Sequence, residues 1–165
     1  MSERLLVRAP TEDDLLVYEA HFLHPEIAHW LRPPPLPAFD EPQVLELLQR
    51  DCRHWHDHGF GPWVLEDAGG DFVGRGGLAW TEVDDVLTVE LPWSIEPDRH
   101  GQGLATEAAR RAIEQADSLG FEMVIALILP HNLASRRVAE KVGMEARREV
   151  EHAGLPHLLY RRPPG

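Results

Sequence analysis

Cysteine is almost absent: Cys52 stands alone in 165 residues, so the chain closes no disulfide within itself, which suits a reducing compartment. Positive charge is also scarce. Sixteen basic side chains face 28 acidic ones, a formal net charge of −12, and no basic stripe offsets it, which excludes a nucleic-acid grip made through phosphates. No apolar run is long enough to span a bilayer and no secretory leader opens the chain, so a cytoplasmic protein is expected, with neither membrane nor nucleic acid among its partners. Repeats and linkers are missing too. At 165 residues and 43% hydrophobic, the chain supports one well-buried core, and a single domain over 1–165 is expected.

What is present alternates between strand and helix patterns. Leu5-Leu6-Val7-Arg8 reads as a short strand, followed by a helix that Thr11 caps, with Leu15, Tyr18 and Phe22 at helical spacing and His24-Pro25 as its close. Arg32 to Pro37 carries four prolines in six residues, a stiff connector or, less plainly, a docking motif. A second helix follows, with Asp40 and Gln43 spaced as a capping box and Gly59 as its stop. His54 and His58 share a face near its end. They read as solvated histidines complementing the negative helix end, or as two ligands of a metal whose third ligand the spacing does not supply, so no metal is assigned.

Gly61 to Glu66 and Asp71 to Trp80 read as a hairpin about Gly69-Gly70, and Gly74, Gly76 and Gly77 imply a bulge or a group lying against the backbone. Val86 to Ile95 is the next strand, then a helix from Leu104 to Leu119 lined with alanines, then the wholly apolar Met123 to Leu129, a strand buried on both faces. A helix over Ala134 to Val142 precedes a hairpin of Ala146 to Val150 with His157 to Arg161, and a frayed Pro163-Pro164-Gly165 tail ends the chain. This is a mixed α/β order: strand, two helices, three strands, helix, strand, helix, two strands.

The stretch from Glu90 to Ala108 organises that order. A strand breaks at Pro92, passes through Gly101-Gln102-Gly103 and enters an alanine-rich helix, so backbone N–H groups at the helix start can face an anion. Thr106 stands where a dinucleotide fingerprint needs its third glycine, and the Gly-Lys-Ser/Thr of a Walker loop is missing. What the run resembles is the coenzyme A loop of the GNAT acetyltransferase superfamily, Gln/Arg-x-x-Gly-x-Gly/Ala, with His100 at its first position. Asn132-Leu133-Ala134-Ser135 through Lys141-Val142-Gly143-Met144 is similar to the family's later motif. Glu90-Leu91-x-Trp93 and Thr106-Glu107-Ala108 resemble the branch that includes ribosomal-protein N-terminal acetyltransferases.

The resemblance implies a GNAT-like acyl-CoA N-acyltransferase fold, its central sheet mixed, mostly antiparallel and splayed between the fourth and fifth strands, flanked by helices. It implies an acetyl-CoA-dependent transfer of acetyl directly to a primary amine, on a protein N-terminus or a small molecule. Residues His100, Gly101, Gln102, Gly103, Leu104, Ala105 and Thr106 would hold the pyrophosphate, while Trp93, Ser94, Ile95 and Asn132 would bind the pantetheine arm. Glu90 would be the general base, since burial raises a carboxylate's pKa toward that task, or a structural carboxylate. Ser135 would protonate the leaving thiolate, because Ala139 stands where many relatives carry tyrosine; otherwise it is a helix-surface serine. Asn132 would also cap its helix. A second copy of the chain in a homodimer is left open. The rival classes are a non-catalytic acyl-CoA-binding sensor or interaction module and a nucleotide-binding protein using the same loop.

Overall fold

The computed structural model describes residues 5–163. In chain order the elements are β1 (Leu6–Arg8), α1 (Leu15–Phe22), α2 (Pro25–Leu31), α3 (Glu41–His58), β2 (Pro62–Glu66), β3 (Phe72–Gly77), β4 (Ala79–Val83), β5 (Val86–Glu90), β6 (Ser94–Ile95), α4 (Leu104–Leu119), β7 (Val124–Ile128), α5 (Leu133–Lys141), β8 (Glu145–His152) and β9 (Leu155–Arg161). They fall into two compact units. One runs to Arg75 and resumes over Ser94–Leu104; the other takes Gly76–Trp93 and the chain from Ala105.

The first unit holds a four-stranded sheet in the order β1-β2-β3-β6. Thr11 accepts from the Asp13 amide in a capping box with Asp14, and Asp40 and Gln43 form the expected box at the start of α3. Tyr18, Phe22, Ile27, Val44, Leu48 and Val64 make its core, to which α1 gives Tyr18 and Phe22 and α3 gives Val44 and Leu48, each pair four residues apart on one helix face. One helix was not expected. Pro25 does not close α1; it opens α2 at the first position, where its missing N–H costs nothing, and the His24 ring accepts from the Glu26 amide.

The second unit holds a five-stranded sheet, β4-β5-β7-β9-β8, in which only β5 and β7 run parallel. This second sheet is therefore mixed and mostly antiparallel. Ala126, Ile128, Ala139, Met144 and Tyr160 pack on one side of this sheet, and Val83, Ile125, Val150 and Leu159 form a separate cluster. Asp84 and Asp85, at φ 51° and 64°, make the two-residue turn between β4 and β5.

Two expected strands are divided. Asp71 to Trp80 breaks at Leu78 after Gly77, whose φ of 91° suits glycine, and its second half extends to Val83 as β4. Val86 to Ile95 divides at Pro92, so that β5 belongs to one sheet and β6 to the other. Just past β5 the Leu91 amide still donates to the Ile125 carbonyl of β7 at 2.8 Å, and Pro92 has no N–H to offer the opposite edge, where β4 lies. Here the strand parts from β7, at the place of the expected splay. Pro164 and Gly165 of the expected tail lie outside the described residues.

Candidate active site

The glycine loop is built from its anchors. After β6 the Glu96 amide donates to the Val73 carbonyl, Pro97–Arg99 forms a single 3-10 turn, and Arg99 holds Asp67 at 2.7 Å. The Asp67 carboxyl is kept below its usual range, first by the Asp71 amide and then by Arg99. His100 Nε2 lies 2.8 Å from the Ile95 carbonyl. A carbonyl only accepts, so Nε2 is the donor. This spends the donor that the sequence motif assigned to phosphate on holding the loop to β6.

Beyond His100 the backbone is left-handed at Gly101 and again at Gly103, at φ 79° and 78°. These angles flank the exposed Gln102 and turn the chain into α4. Leu104 is buried at the helix start, while Ala105 and Thr106 are half-buried in its first turn. Ala108, Ala109, Ala112 and Ala116 line the buried face of α4. Two left-handed residues just before a helix start are the kind of turn that can gather backbone N–H groups into a concavity.

β6 carries a feature the sequence reading missed. His21 on α1 is fully buried, with Nε2 2.6 Å from Ser94 Oγ and Nδ1 3.1 Å from Glu96 Oε2. Burial lowers its pKa, against the Glu96 hydrogen bond, which raises it. Nearby, Asp51 is buried on α3 and accepts from the Tyr18 hydroxyl at 2.7 Å and from Arg75 through two 2.7 Å bonds. The expected close approach at Gly74 is also found. A Cβ there would lie 2.2 Å from the Ser94 carbonyl oxygen, so only glycine fits.

Glu90 ends β5, half-buried, directly opposite Ala79 and Ile125. Ile125 pairs in turn with Arg161, and directly paired residues share a face, so Glu90, Ile125 and Arg161 stand in one row across three strands. Arg161 Nε is buried with no hydrogen-bond partner among the described residues. His157 lies on the same face. Its pKa is lowered, mainly by burial and also by His152, whose ring meets it edge-on at 5.3 Å; the Glu90 charge acts in the opposite direction.

Asn132 caps α5, its Oδ1 accepting from the Ser135 amide at 3.1 Å, and Ser135 is half-buried in the first turn. Trp93 packs against the Ala126–Tyr160 cluster. His54 differs from the solvated reading: it is half-buried, its Nδ1 bonded to the Phe60 carbonyl at 2.8 Å. Among the described residues no group of three or more histidine, cysteine, aspartate and glutamate side chains is set to hold a metal, and no helix is long and apolar enough to cross a membrane.

The family description of an acetyltransferase (GNAT) domain matches residues 4–145. The chain belongs to the GNAT acetyltransferase family. This GNAT chain is 30% identical over 125 residues to the uncharacterized protein YkkB of Bacillus subtilis (strain 168), covering 74% of the chain and 73% of that protein. Its fold is similar to that of AAC(6')-Ib in complex with ribostamycin and coenzyme A, at a TM-score of 0.77, 18% identity and coverage of 97% and 93%. It is also similar to the ribosomal-protein-S5-alanine acetyltransferase from Vibrio fischeri, at a TM-score of 0.74, 17% identity and coverage of 99% and 95%.

Proposed function

We propose that this GNAT acetyltransferase transfers acetyl from acetyl-CoA directly to a primary amine, on a protein N-terminus or a small molecule, with residues 1–165 acting as one N-acetyltransferase domain. The observation that carries the reading is the anchored loop, with left-handed Gly101 and Gly103 delivering the chain into α4. The matched family and the coenzyme A in the AAC(6')-Ib complex support it.

In this reading the amides of Gln102, Gly103, Ala105 and Thr106 hold the pyrophosphate through donors that carry no net charge, aided by the dipole of α4. His100 acts by fixing Gly101 rather than by touching phosphate. Trp93, Ser94, Ile95 and Asn132 bind the pantetheine arm, and Pro92 withholds one backbone donor from it. Glu90 takes a proton from the ammonium form of the acceptor, directly or through water, and the neutral amine attacks the thioester carbonyl. Ser135 donates its hydroxyl proton to the departing thiolate. The acidic balance of the chain favours cationic acceptors.

The test is a thermal-shift comparison followed by a panel of amines and peptide N-termini with free thiol as the readout. Acetyl-CoA is expected to raise Tm more than ATP or NAD, and thiol release is expected to rise when an amine is added, with acetylated amine as the product. A larger shift with either nucleotide sinks the assignment; binding without turnover on any amine makes the chain an acyl-CoA sensor instead.

A further inference from the structure

Amine acetylation as proposed above uses the backbone of Ser94 and gives no role to its hydroxyl, to His21 or to Glu96. Two residues apart on an extended chain, Ser94 and Glu96 project to the same side, and both reach the one imidazole that α1 buries beneath them. Their chemistry sets the ring's tautomer. An ionised Glu96 only accepts, so Nδ1 carries the proton; Nε2 then presents a lone pair, and the Ser94 hydroxyl donates to it across 2.6 Å. A serine bonded to a base that a carboxylate orients is the arrangement that activates a hydroxyl nucleophile.

The surroundings favour that state. His21 is enclosed by the edges of the Phe22 and Phe72 rings, at 4.9 and 5.5 Å, and burial keeps it neutral and able to accept a proton. Arg75 and His24 also disfavour the imidazolium, leaving Glu96 as the group that stabilises it when it forms. Ser94 itself is only half-buried.

We infer that Ser94 is an activated nucleophile and that the protein carries a second activity, the hydrolysis of small acyl esters and thioesters through an acyl-Ser94 intermediate. Ser94 Oγ bonds to the acyl carbonyl carbon and its proton passes to His21 Nε2. The bond from that carbon to the leaving oxygen or sulfur breaks, and His21 returns the proton to the departing group. Water then attacks the acyl-serine and gives a proton to His21, which restores the Ser94 hydroxyl as the carboxylic acid leaves. Glu96 is the positioning residue. The thioester arm rests on the acetyl-CoA reading; the ester arm does not.

The experiment treats the full chain with a tagged fluorophosphonate, maps the label by peptide mass spectrometry, and follows release of p-nitrophenol from p-nitrophenyl acetate. Label is expected on Ser94, and both signals are expected to vanish in Ser94→Ala. In His21→Gln they are expected to fall by about 10²-fold, the contribution of a general base. Because that variant removes a buried ring, Glu96→Gln is the second arm. It keeps His21 in place, and is expected to slow labelling and to remove the downfield Nδ1 proton resonance of a carboxylate-bonded imidazole. Label at another residue, no label, or wild-type labelling in Glu96→Gln overturns the inference. Amine acetylation is read separately as acetylated amine by mass spectrometry, a product that hydrolysis does not form, so loss of either activity alone identifies which reading has failed.

Discussion

The His100 ring donates to the Ile95 carbonyl at 2.8 Å, tying the end of β6 to the entrance of the glycine loop. Because the partner is an uncharged carbonyl, His100→Ala is expected to weaken acetyl-CoA binding about fivefold, the effect of one lost hydrogen bond. The loss is expected to be the same at low and high salt. Titration calorimetry at two ionic strengths checks it; a loss that shrinks with salt would mean that His100 meets phosphate after all.

Glu90 sits in a row with Ile125 and Arg161. Glu90→Gln is expected to lower kcat by about 10²-fold while leaving acetyl-CoA affinity nearly intact. The limb of the pH–rate profile that reports ionisation of the base should disappear with it, and an unaltered profile removes Glu90 from that role.

Asn132 and Ser135 separate by their effects on stability. The cap uses the Ser135 amide, not its hydroxyl. Asn132→Ala is expected to cost about 1 kcal/mol in urea denaturation. Ser135→Ala is expected to melt as the wild type does and to lose turnover by a smaller factor than Glu90→Gln; wild-type rates would reduce Ser135 to a surface residue.

The buried carboxylate of Asp51 meets both Tyr18 and Arg75. Asp51→Asn leaves the guanidinium without its charge partner and is expected to cost about 3 kcal/mol of stability. An unchanged denaturation midpoint would show that solvent reaches Arg75 and replaces the pair.

Four histidines are held below the ordinary pKa of 6.5, with burial the leading cause at His21, His54, His152 and His157. Below that value the unfolded chain binds protons that the folded one refuses, so stability rises with pH through this window. It is expected to be level above about pH 6.5 and to fall as the pH drops toward the folded-state values, a trend that denaturant midpoints across the range will show.

Local signals were readable where the physics is local. Asp40 with Gln43, Gly59 after its helix, and the glycines flanking Gln102 all act within a few residues of themselves, and each stands where its spacing put it. Pro25 misled because the same ring that ends a helix interior also suits a helix start. The Tyr18–Asp51–Arg75 network and the His21 cluster were invisible for another reason. Their partners lie 33, 24, 73 and 75 residues apart, and no periodicity reports which side chains the sheet and helices of one unit will bring together.

Gly74 has a consequence for engineering. With the Ser94 carbonyl 2.2 Å from where its Cβ would stand, a single methyl group at position 74 would work as a wedge, pushing β6 aside without altering any reactive atom. A graded set of side chains there would act as a ruler, converting ångströms of displacement at Ser94 into measured rate.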